Sequence, residues 1–311
     1  MVFTTLEPYE KILTAKDMKA AENAVVTPGR TAPTAIMNRS YLMLSANRLR
    51  HLNRLDTLTA DNVIINLEDG IAPEEKPISR MLSALFISHL KQSHARLIVR
   101  VNPLGEGGEE DITLINRVRP DAVRIPKIRT VRDVNLALKL IDDGIDIHFS
   151  IETKEAFQNI AALRPDPRIT TFYLGVLDLL ADLAIPQSII TFGNPTMKYL
   201  LSKFLLDCKS IGVTPVGFTF QEYTKLESFR HWCRLQQKMG YGGTSCLSPD
   251  QVTIANHVFS PDTEEIEKAR YLVMRFELMA AQGITGFTDE RYGFIDEPIY
   301  KGALSLLKGI R

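Results

Sequence analysis

Short apolar runs alternate with amphipathic segments along this chain from about residue 39 onward. The apolar runs are rich in β-branched residues and predict eight strands, at residues 39–44, 62–67, 96–101, 121–125, 145–151, 170–174, 213–218 and 244–247. The segments between them have the apolar spacing of helices, for example at residues 48–58 and 154–163. Strands separated by helices pair in parallel. We therefore predict an α/β protein whose eight strands form a barrel rather than an open sheet.

Two further segments flank the predicted barrel, which we place at residues 39–260. Residues 1–38 are polar, contain Pro28, Gly29 and Pro33, and predict an N-terminal arm or partial helix. Residues 261–311 predict a long helix, a turn-rich piece and a last amphipathic helix from Pro298. We expect this C-terminal tail to be too short for a core of its own and to dock on the barrel or on another subunit.

Charged residues lie at the carboxyl ends of several predicted strands: Glu68, Asp69, Arg100, Lys127, Glu152 and Asp178. These ends meet at one edge of a parallel sheet or barrel, which is where such folds bind ligands. Glu152 and Asp178 belong to neighbouring strands, so their carboxylates are predicted to converge on a hard cation, Mg²⁺ or Mn²⁺. In the alternative interpretation, each carboxylate only caps the helix that follows it.

Arg100 and Lys127 each allow two interpretations. The forked, permanently charged guanidinium of Arg100 matches a substrate carboxylate, but it would equally suit a buried ion pair with an acidic neighbour. Lys127 follows a proline at a strand end, where it would act as a Schiff-base nucleophile or form a salt bridge with Glu68 or Glu152.

Whole-chain composition excludes several classes of partner. The 37 basic residues balance the 37 acidic ones, so nothing suggests nucleic acid or an anionic membrane as partner. No apolar run approaches the roughly 20 residues of a membrane span, and the first residues lack the apolar region of a signal peptide. The three cysteines have no metal or disulfide spacing. We therefore expect a cytoplasmic protein with a small or carrier-bound ligand.

The chain resembles the citrate lyase β-subunit-like family, which belongs with the malyl-CoA and citramalyl-CoA lyases and the metal-dependent pyruvate aldolases. The resemblance covers about residues 39–308 and rests on the order of the motifs RSYLMLSANRLRHL, INLEDGIAPEEK, IVRVNP, RIPKI, SIET, LGVLDLLADL, SPDQVTIANHVFSPDTEEIEKAR and FIDEPIYKGA. It implies a TIM (β/α)8 barrel that assembles as a homo-oligomer, either a trimer or a hexamer.

The resemblance also implies a site. Mg²⁺ is held by Glu152 and Asp178, and Arg100 binds the carboxylate or oxyanion of a 2-oxo acid. Glu68 and Asp69 support Arg100 and the waters of the metal. The aspartate of the tail motif, Asp296 here, acts as acid or base in the site of a neighbouring subunit.

The function that we expect is a Mg²⁺-dependent lyase. It would split an acyl-CoA or acyl-carrier thioester of the citramalyl, malyl or citryl type into an acetyl thioester and a short oxo acid. A metal that is chelated by the substrate would stabilise the oxyanion that forms. The alternatives are a pyruvate-type aldolase that acts on a free hydroxy-oxo acid and a barrel subunit without catalytic activity.

Three regions depart from the family pattern. Family members usually have proline and glycine where this chain has Ser45 and Ala46, an aspartate near Val216, and a histidine near Ser248. These changes affect the expected thioester carrier more than the metal. A cluster of basic residues could still bind an anionic group of the substrate: Arg39, Arg48 and Arg50. In the alternative interpretation, these residues are only solvated surface.

Overall fold

A computed structural model describes residues 1–33 and 37–308 of the chain. One parallel sheet contains β1 (Ser40–Ser45), β2 (Asn62–Asn66), β3 (Arg96–Arg100), β4 (Ala122–Ile125), β5 (Asp146–Ile151), β6 (Ile169–Leu174), β7 (Thr214–Val216) and β8 (Thr244–Cys246). Its strand order is β7-β6-β5-β4-β3-β2-β1-β8, and a parallel bridge between Gly217 and Thr244 joins its two ends. The predicted eight-stranded α/β barrel is confirmed.

The closure of the barrel depends on a glycine. A Cβ atom on Gly217 would overlap Oε1 of Gln236 and would lie 2.8 Å from Oγ1 of Thr244. The missing side chain lets the backbone N–H of Gly217 donate to the carbonyl of Gly243 at 3.0 Å. The strands β7 and β8 are nevertheless three residues long, shorter than the predicted runs.

The barrel unit, Met1–Phe259, has eleven α-helices among its described residues. They are α1 (Glu7–Ala15), α2 (Met18–Asn23), α3 (Leu49–Leu52), α4 (Lys76–His89), α5 (Gly108–Asn116), α6 (Val131–Leu140), α7 (Lys154–Gln158), α8 (Val176–Asp182), α9 (Pro195–Ser210), α10 (Leu226–Met239) and α11 (Pro249–Val258). Short 3-10 helices cover Pro73–Glu75, Ile160–Leu163 and Gln187–Ile189. The arm contains α1 and α2, and its Phe3 ring packs edge-on against Phe86 of α4, with 5.0 Å between centroids.

Two predicted helices are shorter than expected. The pattern at 48–58 gives only the single turn α3, because the chain continues in turns whose hydrogen bonds span three residues, such as Leu55 N–H to the carbonyl of Leu52. An apolar spacing of three fits such turns as well as it fits an α-helix. The helix predicted at 154–163 ends at Gln158 and continues as a 3-10 helix.

Apolar residues fill two layers of the barrel unit. The large layer lies between the strands and the surrounding helices, and includes Phe229 and Trp232. The inner layer lies inside the barrel and consists of Tyr41, Ile64, Ile98, Ala122, Tyr173 and Val216. The barrel interior also holds buried polar side chains, among them Arg100, Arg124 and His148.

The second compact unit begins at Ser260. It consists of α12 (Thr263–Ala280), the antiparallel hairpin β9 (Gly286–Asp289) and β10 (Gly293–Asp296), and α13 (Glu297–Lys308). The expectation that this tail lacks a core is wrong, because the hairpin folds back and lets α12 and α13 share a hydrophobic cluster: Ala269, Leu272, Phe276, Ile295 and Ala303. Across the described residues of both units, no helix combines the length and apolarity that crossing a bilayer requires.

Candidate functional site

A cavity of about 290 Å³ opens at the carboxyl ends of the barrel strands. Four of the residues singled out from the sequence line it: Asp69, Arg100, Glu152 and Asp178. Arg124, which the sequence analysis did not consider, also lines it, together with Asn66, Gln221 and Ser245. The cavity therefore carries both signs of charge, and the rest of its lining includes apolar side chains such as Met43 and Leu247.

Glu152 and Asp178 each keep a carboxylate oxygen uncommitted. Glu152 is 2% exposed, and its Oε1 accepts the backbone N–H of Lys127 at 2.8 Å. Within residues 1–33 and 37–308, nothing donates a hydrogen bond to its Oε2. Asp178 is exposed in the first turn of α8 and has neither a hydrogen bond nor a salt bridge to a described residue. Two oxygen donors are thus free at one cavity.

The alternative role of these carboxylates as helix caps is not what the structure shows. The cap of α7 is Thr153, whose Oγ1 accepts the N–H of Ala156 at 3.3 Å. The cap position of α8 is Gly175, and Asp178 accepts no backbone N–H among the described residues.

Backbone geometry on both sides holds Glu152 in place. Lys127 has a φ of 54°, in the left-handed region that a residue with a side chain rarely adopts, and its N–H donates to Glu152. On the other side, a Cβ atom on Gly175 would lie 2.5 Å from both Cβ and Oε2 of Glu152. Burial raises the pKa of Glu152, against the opposing charges of Arg100 and Arg124.

Arg100 is the centre of a buried ion-pair network. It is 5% exposed, and its Nη2 pairs with Oε2 of Glu68, lies 3.3 Å from Oδ2 of Asp69, and lies 3.9 Å from Oε1 of Glu152. Lys127 Nζ lies 3.5 Å from the other oxygen of Glu68. The salt-bridge interpretations of both cations therefore describe their contacts in this structure.

The two acidic residues of this network have opposite pKa shifts. Burial raises the pKa of Glu68 to about 7, although the charge of Arg100 opposes it. For Asp69, whose side chain is 61% exposed, burial is outweighed by a hydrogen bond with Glu68 and by Arg100 and Lys127, so its pKa lies below the usual value. Glu68 is thus the member of the pair that takes up a proton at the higher pH.

Among the described residues, no group of three or more His, Cys, Asp and Glu side chains is arranged to hold a metal ion. Glu152 and Asp178 would therefore offer two carboxylates, and the other ligands of a cation would have to come from water and substrate. Mg²⁺ is commonly bound in this way, through one or two carboxylates together with oxygen atoms of the substrate. The donor set fits Mg²⁺ and does not fit structural zinc.

The sequence profile of the HpcH/HpaI aldolase/citrate lyase family matches residues 39–249. The chain belongs to this family. A (3S)-malyl-CoA thioesterase of Cereibacter sphaeroides is 31% identical over 240 residues, which are 77% of this chain and 83% of that protein. Human mitochondrial citramalyl-CoA lyase is 23% identical, over 86% of this chain and 84% of its own length.

A solved structure of CitE from Mycobacterium tuberculosis, in complex with magnesium, acetoacetate and coenzyme A, shares the fold. It is 22% identical, has a TM-score of 0.68, and the match covers 88% of this chain and 97% of that chain.

Arg39 and Asp296 are held by contacts outside the cavity lining just described. Arg39 precedes β1, at the end of the strand opposite the cavity, where its Nε and Nη2 donate to the carboxylate of Asp61 at 2.9 and 2.8 Å. Asp296 ends β10 in the C-terminal unit, where its Oδ1 accepts the N–H of Ile299 at 3.2 Å and caps α13. The structure does not place Arg39 at the candidate site.

The residues that depart from the family pattern have local structural roles. The Ser45 hydroxyl donates to Oδ1 of Asn47 at 2.8 Å, and Ser248 caps α11 by accepting the N–H of Gln251 at 3.2 Å. Val216 is part of the inner apolar layer. None of the three carries a charge that would replace the aspartate or histidine of other family members.

A second cavity, of about 620 Å³, lies at the amino ends of the strands. Four of its five charged residues are paired with one another, Arg30 with Asp121 at 2.7 Å and Arg96 with Asp146 at 2.5 Å, and the fifth, Arg119, donates to the carbonyl of Asp143 at 2.9 Å. Barrels of this kind bind substrates at the opposite, carboxyl end. The cavity that holds Glu152 and Asp178 is therefore the better candidate for an active site.

Proposed function

We propose that this protein is a Mg²⁺-dependent lyase that cleaves a carbon–carbon bond in a hydroxy-carboxyacyl-CoA thioester. Its products would be acetyl-CoA and a short oxo acid. The observation that carries this proposal is the pair Glu152 and Asp178, which present uncommitted carboxylate oxygens to one cavity beside Arg100. The names of the relatives, a malyl-CoA thioesterase and a citramalyl-CoA lyase, support a CoA thioester as substrate.

The acidic and basic residues of the site would have different roles. Glu152 and Asp178 would hold Mg²⁺, which when bound supplies a Lewis acid for the oxygen atoms of the substrate. Arg100, held by Glu68 and Asp69, sets the positive potential beside that position. Glu68, with its pKa raised to about 7, is able to exchange a proton with a neighbouring group near neutral pH. Lys127 contributes its backbone N–H to the orientation of Glu152.

We further propose that Asp296 completes the site of a neighbouring copy in a homo-oligomer, a trimer or hexamer. Only its Oδ1 is used in capping α13, and its Oδ2 has no hydrogen-bond partner among the described residues. Mixed oligomers of Asp296→Ala and Glu152→Ala subunits should regain part of the activity that each variant loses by itself. Verified mixed oligomers without activity would contradict this role.

Thioester hydrolysis is the second candidate, because the relative with 31% identity is named a thioesterase. The two reactions differ in their products. A lyase releases an oxo acid and leaves the thioester bond intact, whereas a thioesterase releases a free thiol. A third possibility, an aldolase that acts on a free hydroxy-oxo acid, would not be stabilised thermally by acetyl-CoA.

One experiment separates these functions. Malyl-CoA, citramalyl-CoA and citryl-CoA are incubated with the protein, with and without Mg²⁺, while oxo acid and free thiol are measured in parallel. We expect Mg²⁺-dependent oxo acid without thiol, and we expect its loss in Glu152→Ala and in Asp178→Ala. Glu155→Ala is the control, because Glu155 pairs with Arg129 on the surface at 2.7 Å. Thiol release alone, or activity that persists in both variants, would refute the proposal.

A further inference from the structure

A second buried arginine lies at the floor of the candidate site. Arg124 is the third residue of β4, and in the sheet it is paired with Arg100 on one side and with His148 on the other. It is 4% exposed and lines the same cavity as Glu152 and Asp178. An arginine in the middle of an apolar strand, inside a barrel, requires an explanation because Arg is rarely buried without a partner.

Arg124 has no acidic partner among the described residues. Its Nε donates to the hydroxyl of Ser150 at 2.9 Å, and its guanidinium stacks over the ring of Tyr173 at 3.9 Å from the centroid. Its Nη1 is fully buried and has no hydrogen-bond partner in residues 1–33 and 37–308. Arg100 differs in this respect, because its Nη2 pairs with Glu68 and lies 3.3 Å from Oδ2 of Asp69.

The charge of Arg124 is nonetheless present at neutral pH. Burial, together with the nearby charge of Arg100, lowers the pKa of Arg124 only to about 10. A buried cation without a counterion is strongly unfavourable, and it becomes tolerable when an anion arrives with matching geometry. The guanidinium fork matches a carboxylate, whose two oxygens accept two parallel hydrogen bonds.

We propose that Arg124 binds a second carboxylate of the substrate, and that the oxo acid released by this enzyme is therefore a dicarboxylic one. This inference rests on the proposed function, in which Glu152 and Asp178 would hold the Mg²⁺ that takes up one carboxylate and the hydroxyl of the substrate. Arg100 already has acidic partners at its Nη2, whereas Arg124 is a buried cation at the same cavity without a counterion among the described residues, so the remaining charge of the ligand falls to Arg124. The thioester then belongs to the citryl class rather than to the malyl or citramalyl class, whose oxo acids have one carboxylate.

Binding measurements on two 2-oxo acids test the inference without requiring turnover. Oxaloacetate has a second carboxylate where pyruvate has a hydrogen, and both are titrated calorimetrically into the intact protein in the presence of Mg²⁺. We expect oxaloacetate to bind about ten- to a hundredfold more tightly than pyruvate, which is the contribution of charged hydrogen bonds of this kind. Arg124→Met should remove this preference while leaving pyruvate affinity within about twofold.

Two further variants make the result specific. Arg124→Lys keeps the charge but loses the fork, and should retain only part of the preference. Arg132→Met removes an exposed arginine of α6 and should leave both affinities unchanged. If Arg124→Met fails to fold, the preference of the wild-type protein and the result for Arg124→Lys still decide the matter.

The outcomes separate this inference from the proposed function. Equal binding of the two oxo acids by the wild-type protein overturns the inference, and so does an equal loss of both in Arg124→Met, which would show that Arg124 only supports the barrel through Tyr173. Mg²⁺-dependent cleavage of malyl-CoA but not of citryl-CoA would also overturn it, while the lyase function would stand. If neither oxo acid binds in the presence of Mg²⁺, both the inference and the proposed function are refuted.

Discussion

Replacing Gly175 by alanine tests the geometry that holds Glu152 at the candidate metal site. Gly175 lies between the end of β6 and the start of α8, next to the end of β5. The added methyl carbon would lie 2.5 Å from Cβ and from Oε2 of Glu152. The Cβ of Glu152 is attached directly to the backbone, so a change of side-chain rotamer cannot relieve the contact.

The size of the effect follows from these distances. Carbon atoms in contact are normally about 3.5–4.0 Å apart, so the ends of β5 and β6 would have to separate by roughly 1 Å. Overpacking of this kind costs about 1–3 kcal/mol, which corresponds to a fall in melting temperature of roughly 2–6 °C for a chain of this length. The same movement displaces the carboxylate of Glu152 from Asp178, so Mg²⁺ affinity should fall as well.

Urea denaturation followed by circular dichroism measures the loss of stability, and isothermal calorimetry measures Mg²⁺ binding. Gly193→Ala is the matched control, because its added Cβ would meet no atom within 4 Å. We expect Gly175→Ala to lose stability and Mg²⁺ affinity, while the control changes by less than about 0.5 kcal/mol. If Gly175→Ala behaves like the control in both measurements, the close approach of the two strands does not position Glu152.

Three further predictions concern the ion-pair network and the closure of the barrel. Arg100→Met leaves two buried carboxylates without their guanidinium and should lower the free energy of unfolding by about 3–5 kcal/mol in urea; adding Glu68→Gln should restore part of it, and strictly additive losses would contradict the pairing. The Glu68 carboxyl, with a pKa of about 7 in the folded state against 4.5, contributes stability that is complete below pH 4.5 and is lost as the pH rises through 7. In metal-free urea titrations from pH 5 to 8, the stability of Glu68→Gln relative to the wild-type protein should therefore rise by up to about 3 kcal/mol, and a constant difference would refute this pKa shift. Gly217→Ala should destabilise the barrel because its Cβ overlaps Gln236, and Gln236→Ala should rescue part of that loss in thermal unfolding; no rescue would assign the effect to another contact.

The strands were predictable because their signal is local. Runs of β-branched residues between helical patterns marked all eight strands to within a few residues, from β1 at Ser40–Ser45 to β8 at Thr244–Cys246. The hairpin of β9 and β10 was not predicted, since its strands are short and lie in a polar, turn-rich piece. Single turns such as α3 were overestimated because an apolar spacing of three does not distinguish a helix from successive turns.

The inward position of Arg124 follows from the alternation of side chains along β4. Side chains in a strand alternate, so Arg124 shares the inward side of β4 with Ala122 of the inner apolar layer. A charge at such a position in the RIPKI motif was a signal for a buried cation. The absence of an acidic partner for it, however, is visible only in three dimensions.

By itself, the sequence determined the order of the strands and helices. It also determined the edge of the barrel at which four charged residues meet, because parallel strands joined by helices bring their carboxyl ends together: Glu68, Arg100, Glu152 and Asp178. Only the tertiary structure decided the partners at that edge. Arg100 pairs with Glu68, which lies 32 positions earlier in the sequence, and leaves Arg124 without an acidic partner among the described residues. Such choices depend on distances of a few ångströms between side chains that are far apart in sequence, which periodicity and composition do not encode.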